Sequence, residues 1–125
     1  MGYRIGWALS GLAILFLAMD AVMKLLALPV VLRSSEELGF PGVGLARTLG
    51  IVLAICTGLY AFPRTSLLGA VLLTAYLGGA VAAHVRAGSP LWTHVLFGVY
   101  VGIVVWAGLY LRDAALPGLL PIRKT

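Results

Sequence analysis

The amino-acid sequence predicts an all-α polytopic membrane protein: an antiparallel four-helix transmembrane bundle with a short amphipathic segment between helices 1 and 2. Three observations carry this expectation. Of the 125 residues, 62% are hydrophobic and only 10% charged, against about 25% charged in a soluble domain. The polar side chains needed to cover a water-facing surface are missing. The apolar residues gather in four windows close to the ~20 residues that a span requires, and Pro, Gly and charged residues separate them. The nine Lys and Arg are scattered as flanks of these windows. The net charge of +5 is therefore a topology signal, and a nucleic-acid partner is not expected.

The elements follow in order. The first span covers about residues 5–27 and stops before Pro29; its apolar run is too long for a signal peptide and no small-residue cleavage site closes it, so it is expected to be retained. The connector 29–44 is the one loop long enough for structure of its own. Within it, Ser34-Ser35-Glu36-Glu37-Leu38 has the pattern of a capped surface helix that breaks at Gly39-Phe40-Pro41. The second span, about 45–62, ends at Pro63. The third covers about 66–84. The fourth, about 91–111, starts after Gly88-Ser89-Pro90 and ends at Arg112-Asp113. Together the four make a single domain over residues 1–125.

Arg4, Arg64, Arg112, Arg123 and Lys124 fall on one side of this topology. Arg33, Arg47 and Arg86 fall on the other, diluted by Glu36 and Glu37. This asymmetry predicts cytoplasmic N- and C-termini. Tyr3, Trp7, Tyr60, Trp106 and Tyr110 are then expected in an aromatic belt at the cytoplasmic interface, with Trp92 at the opposite one. Small residues recur every four positions: Ala46, Gly50, Ala54 and Gly58 in the second span, and Ala70, Thr74, Gly78 and Ala82 in the third. Gly98 and Gly102 follow in the fourth. Such stripes let helices approach within a bundle, and they equally suit a homodimer seam.

Up-down connectivity brings Asp20, Lys24, Arg47, His84, Arg86 and His94 to one end, the non-cytoplasmic one in this orientation. Asp20 and Lys24 are spaced i, i+4 and can pair on one face. Two readings stand: a structural pair with Lys24 snorkelling to the interface, or a carboxylate that exchanges protons beside a cation. Tyr76, Ala80 and His84 are four apart, so a phenol and an imidazole share roughly one face. No metal site is expected, because no His/Glu ligand pair occurs at i, i+3 or i, i+4 spacing. Cys56 is the single cysteine, which excludes an intrachain disulfide or a Cys-x-x-Cys pair. Glu36, Glu37, Arg33 and Arg47 are expected to form an exposed ion-pair cluster. Phosphate-loop, dinucleotide-binding and His-Glu-x-x-His patterns do not occur.

Several stretches resemble the DoxX-like family. They are Lys24-Leu25, Glu37-Leu38-Gly39-Phe40-Pro41, Arg47-Thr-Leu-Gly50, Pro63-Arg64-Thr65, the run from Leu73 through Tyr76 to His84-Val-Arg86, and Trp106-Ala-Gly-Leu-Tyr-Leu-Arg112-Asp113. The likeness covers nearly the whole chain and implies a four-span protein of the bacterial inner membrane. It also implies association with quinone-linked or oxidative-stress membrane complexes, and it points to Lys24, Glu37, Arg47, Tyr76, His84 and Arg86. Where some DoxX-like sequences carry an acidic residue in the middle of the second span, this one has Leu53, Ala54 and Ile55. Chemistry that needs that carboxylate is not expected here.

The resulting expectation is a pocket in the outer half of the bundle that binds a small lipophilic, quinone- or lipid-like ligand. Asp20, His84 and Tyr76 are the candidate catalytic residues, and Lys24, Glu37, Arg47, Arg86 and His94 the candidate ligand-binding ones. His84 or Asp20 would exchange protons, Tyr76 would donate a hydrogen bond, and Lys24 and Arg47 would stabilise negative charge. No cofactor is evident beyond quinone as ligand. The expected partners are membrane lipids, a second copy through the small-residue faces, and an oxidoreductase subunit to supply electrons. Two alternatives stay open: an acid/base membrane enzyme (isomerase, epoxide-opening or cyclase) without cofactor, and a non-catalytic assembly protein.

Overall fold

The computed structural model describes residues 2–39 and 42–119, apart from the side chains of Ser34, Ser35 and His94. The Phe40-Pro41 break and the cations Arg123 and Lys124 lie outside the described residues. Helix α1 spans Gly2–Leu26, α2 Pro29–Glu37, α3 Val43–Ala61, α4 Ser66–Ala87 and α5 Phe97–Arg112. A π-helical turn, Leu91–Val95, leads into α5, and a 3₁₀ turn, Leu116–Gly118, follows it. Among the described residues four segments are long and apolar enough to cross a membrane: α1, α3, α4 and Leu91–Arg112. The large apolar side chains on their outer faces, such as Leu15 at 69% exposure, point where lipid would lie.

The short connector helix differs from its expected form. It begins at Pro29 rather than near Ser34. Proline suits the first helical position, where its missing N–H bonds nothing and its fixed φ is already helical, so Pro29 ends one helix and starts the next. Between them Ala27 takes a left-handed backbone (φ 53°). Its N–H reaches the Lys24 carbonyl at 3.1 Å and that of Leu28 reaches Met23 at 3.3 Å, closing the end of α1.

The four spans pack as a ring in which α1 touches α3 and α5, and α4 touches the same two. Each of the four interfaces contains a close glycine approach. A Cβ at Gly6 would lie 2.7 Å from the Arg112 backbone nitrogen, and one at Gly108 would lie 2.5 Å from Ser10 Oγ, across α1 and α5. Gly50 meets Lys24 Cβ and the Leu25 nitrogen at 3.0 Å, Gly69 meets the Tyr60 backbone, and Gly98 meets the Leu77 carbonyl at 3.1 Å. The small-residue stripes therefore divide. Gly58 and Gly78 have nothing within 4 Å, and Gly102 meets only a side chain at 3.9 Å.

At the end that holds the N-terminus, Tyr60 is fully buried, not in the interfacial belt expected for it. Its hydroxyl donates to the Val105 carbonyl at 2.6 Å and lies 2.9 Å from Ser10 Oγ. Arg112 completes the cluster: Nε donates to Ser10 Oγ at 2.8 Å and Nη2 to the Tyr60 carbonyl at 3.0 Å. Its guanidinium stacks between the rings of Trp7, at 4.2 Å, and Tyr60, at 4.9 Å. Ser66 and Thr65 donate to the Tyr60 and Leu59 carbonyls at 2.7 and 2.6 Å, so these two carbonyls in the last turn of α3 are satisfied without water. Trp106 also departs from the belt, donating Nε1–H to Thr74 Oγ1 at 2.6 Å. Tyr3, Tyr110 and Trp92 are exposed.

Candidate functional site

At the α2 end the helices enclose a cavity of about 390 Å³. Asp20 and Lys24 reach it from the last turns of α1, Tyr76 and His84 from α4, and the rest of the wall is mostly apolar. A helical side chain leans toward the N-terminus of its helix, so Lys24 near the end of α1 turns down into the bundle. Its ammonium donates to Asp20 Oδ2 at 3.0 Å and to Tyr76 Oη at 2.8 Å. It also lies 5.2 Å from the centre of the Tyr76 ring. The Lys24 side chain is only 18% exposed, against 34% for Asp20. Lys24 does not snorkel to the interface.

The Asp20–Lys24 pair is neutral as a unit, which offsets most of the cost of holding either charge at this depth. Because Tyr76 accepts from Lys24, its own phenolic proton is available to a further acceptor. Phe16, one turn before Asp20, and Phe97, at the start of α5, form an aromatic part of the wall with ring centres 5.4 Å apart. An ammonium, a phenol and a carboxylate beside an apolar, partly aromatic space can hold one polar oxygen of an otherwise hydrophobic molecule.

The other expected residues have different places. Arg47 donates Nε–H to the Leu25 carbonyl at 3.2 Å and caps the end of α1. Arg86 donates to the Leu38 carbonyl at 2.6 Å, and its guanidinium fills the place of a side chain at Gly39, whose φ of 90° also disfavours one. Neither lines the cavity, though Arg86 holds Leu38, which does. Glu37 is exposed. Among the described residues the one ion pair is Lys24–Asp20, so the expected Glu–Arg cluster of the connector is absent from them. His84 lines the cavity with Nδ1 3.0 Å from Ser89 Oγ. The His94 side chain lies outside the described residues. Leu53, in the middle of α3, is fully buried in the core.

Sequence reasoning missed Phe16, Phe97 and Leu38. Phe16 was accessible to it, since i−4 from Asp20 places it on the same face. Leu38 was not, because its position depends on where Arg86 meets the connector.

A family model described as the DoxX-like family matches residues 8–108, most of the chain. No curated protein and no solved structure matches it.

Proposed function

The chain belongs to the DoxX-like family, and on that premise we propose that this multi-pass membrane protein binds a small lipophilic ligand, quinone- or lipid-like, in the cavity at its α2 end. The observation that supports the reading is the pairing of one concentrated polar wall, Asp20–Lys24–Tyr76, with an apolar remainder. A fully apolar cavity would take any acyl chain. A ligand oxygen placed here accepts from Lys24 and Tyr76, and these donors stabilise negative charge that develops on it. Asp20 balances the ammonium and, with His84, offers proton exchange. Arg47, Arg86 and Glu37 act outside the cavity in this proposal. A quinone in this place exchanges electrons with a partner oxidoreductase subunit. The Lys/Arg asymmetry supports cytoplasmic termini in a bacterial inner membrane, which puts the cavity in the outer half of the bilayer.

The test is purification of the full chain in lipid nanodiscs, followed by native mass spectrometry and organic extraction. Wild type is compared with Lys24→Met, Tyr76→Phe, Asp20→Asn and His84→Ala. A stoichiometric lipophilic molecule in wild type that is lost from Lys24→Met and Tyr76→Phe is the expected result. The same bulk phospholipid in every protein would overturn the proposal.

A further inference from the structure

The cavity has an opening, and its place says more about the ligand. Along α4, Gly69, Tyr76 and Ala83 recur every seven residues and so face the same neighbour. At Gly69 that neighbour is the Tyr60 backbone of α3. At Tyr76 and Ala83 the same line borders the cavity instead. The seam between α3 and α4 is thus closed at the terminal end and gives onto the cavity toward the α2 end. Ala75 and Gly79 lie together on one side of this line, and both line the cavity and are exposed. A Cβ at Gly79 would meet nothing within 4 Å.

This opening lies at hydrocarbon depth. Gly79 is two turns inside the end of α4, about 12 Å at 1.5 Å per residue. Its immediate surroundings in a membrane are acyl chains rather than water. On the water side the cavity is covered by Leu38, which Arg86 ties to α4. A ligand with its oxygen on Lys24 and Tyr76 therefore has a direction open to further substituents, outward past Ala75 and Gly79.

We propose that the ligand is a tailed amphiphile: its oxygen-bearing head sits against Lys24 and Tyr76, and its hydrocarbon tail leaves sideways between α3 and α4 to lie among the lipids. This rests on the cavity being a ligand site, as proposed above, and specifies the class. A compact apolar molecule would leave the seam empty. A tailed one fills it and exchanges with the bilayer without crossing water.

Benzophenone and para-dodecylbenzophenone test this, because the carbonyl that would accept from Lys24 and Tyr76 is also the photoreactive group. Each is added at equal mole fraction to nanodiscs holding the full chain, irradiated, and the labelled residues mapped by mass spectrometry. With the tailed probe, labelling of the cavity wall is expected to fall about tenfold in Gly79→Phe. The tail-less probe is expected to label that variant as it labels wild type. Gly78→Phe, the same side chain one residue earlier on a face that does not line the cavity, leaves both probes unaffected. If the tailed probe labels the cavity equally in wild type and Gly79→Phe, or if both probes lose labelling together, the sideways tail is wrong while the head site stands. Should neither probe label the cavity of wild type above the level seen in Tyr76→Phe, the ligand site itself is overturned.

Discussion

Lys24 Nζ and Tyr76 Oη meet at 2.8 Å across the diagonal of the bundle, joining two helices that each pack mainly on α3 and α5. In lipid such a contact is not driven by the hydrophobic effect, and an interhelical hydrogen bond contributes about 0.6 kcal/mol on average. Tyr76→Phe should therefore change unfolding stability by about 1 kcal/mol or less, while the proposed ligand site predicts a large effect on ligand occupancy. Steric-trap or denaturant unfolding in bicelles, run beside the nanodisc extraction, separates the two. A loss of several kcal/mol would identify the contact as structural.

Substitution of Gly69 should be far more damaging than substitution of Gly78. A methyl group at Gly69 meets the Tyr60 backbone, which cannot swing aside. Overpacking of this kind costs about 1–3 kcal/mol. Gly78→Ala meets open space and gains helix propensity of up to about 1 kcal/mol. Parallel thermal unfolding in one detergent gives the comparison; equal effects would contradict the packing described here.

Arg112→Lys tests the cluster at the terminal end. Lysine keeps the charge but loses the planar stacking between Trp7 and Tyr60 and one of the two directed hydrogen bonds. A loss of about 1–3 kcal/mol is expected. A double-mutant cycle with Ser10→Ala should show coupling of at least about 0.5 kcal/mol, because the two share a hydrogen bond.

Ala27→Gly should stabilise the protein. Alanine here holds a left-handed backbone, a conformation that costs an L-residue about 1 kcal/mol and glycine almost nothing. A higher unfolding temperature with unchanged circular dichroism is the expected outcome. A lower one would mean that the flexibility added to the unfolded chain outweighs the relief.

Gly39→Ala should free the connector. The added methyl occupies the place of the Arg86 guanidinium, and the left-handed φ penalises it as well. Hydrogen exchange of the α2 amides is expected to quicken, with that of α3 and α5 unchanged. Arg86→Gln should reproduce the effect in weaker form, as it removes the bond to the Leu38 carbonyl without disturbing the backbone.

Much of this architecture was legible in the sequence because lipid leaves few options. Apolar length, proline breaks and charge asymmetry place four spans within a few residues of α1, α3, α4 and Leu91–Arg112. Asp20, Lys24 and His84 were placed at one end by connectivity and Tyr76 on the His84 face by its spacing, and the cavity brings those four together. What escaped was the direction of side chains. Nothing in spacing tells that Arg47 and Arg86 bond to carbonyls at helix ends, since an arginine near an interface reaches headgroups, carboxylates or carbonyls equally well. Tyr60 and Arg112 read as interfacial because of their types. The burial of Tyr60 and the half-burial of Arg112 follow from Gly6, Gly69 and Gly108, which draw α1 onto α5 and α4 onto α3. The π-helical turn before α5, closed by the Val95 N–H on the Pro90 carbonyl at 3.1 Å, has no composition signal that separates it from an ordinary first turn.

The positions of the glycine contacts have a mechanical consequence. Gly6, Gly108 and Gly69 clamp α1 to α5 and α3 to α4 near the terminal end, whereas Gly50 and Gly98 clamp α1 to α3 and α4 to α5 farther toward α2. The molecule is thus a pair of tongs: two rigid arms, α1 with α3 and α4 with α5, share a fulcrum around Tyr60 and Arg112. Between the tips, the Lys24–Tyr76 bond, the Arg86–Leu38 bond and the Phe16–Phe97 contact span the gap, and each is made by at least one side chain. Spreading the tips would break these side-chain contacts first and leave the glycine contacts between backbones in place.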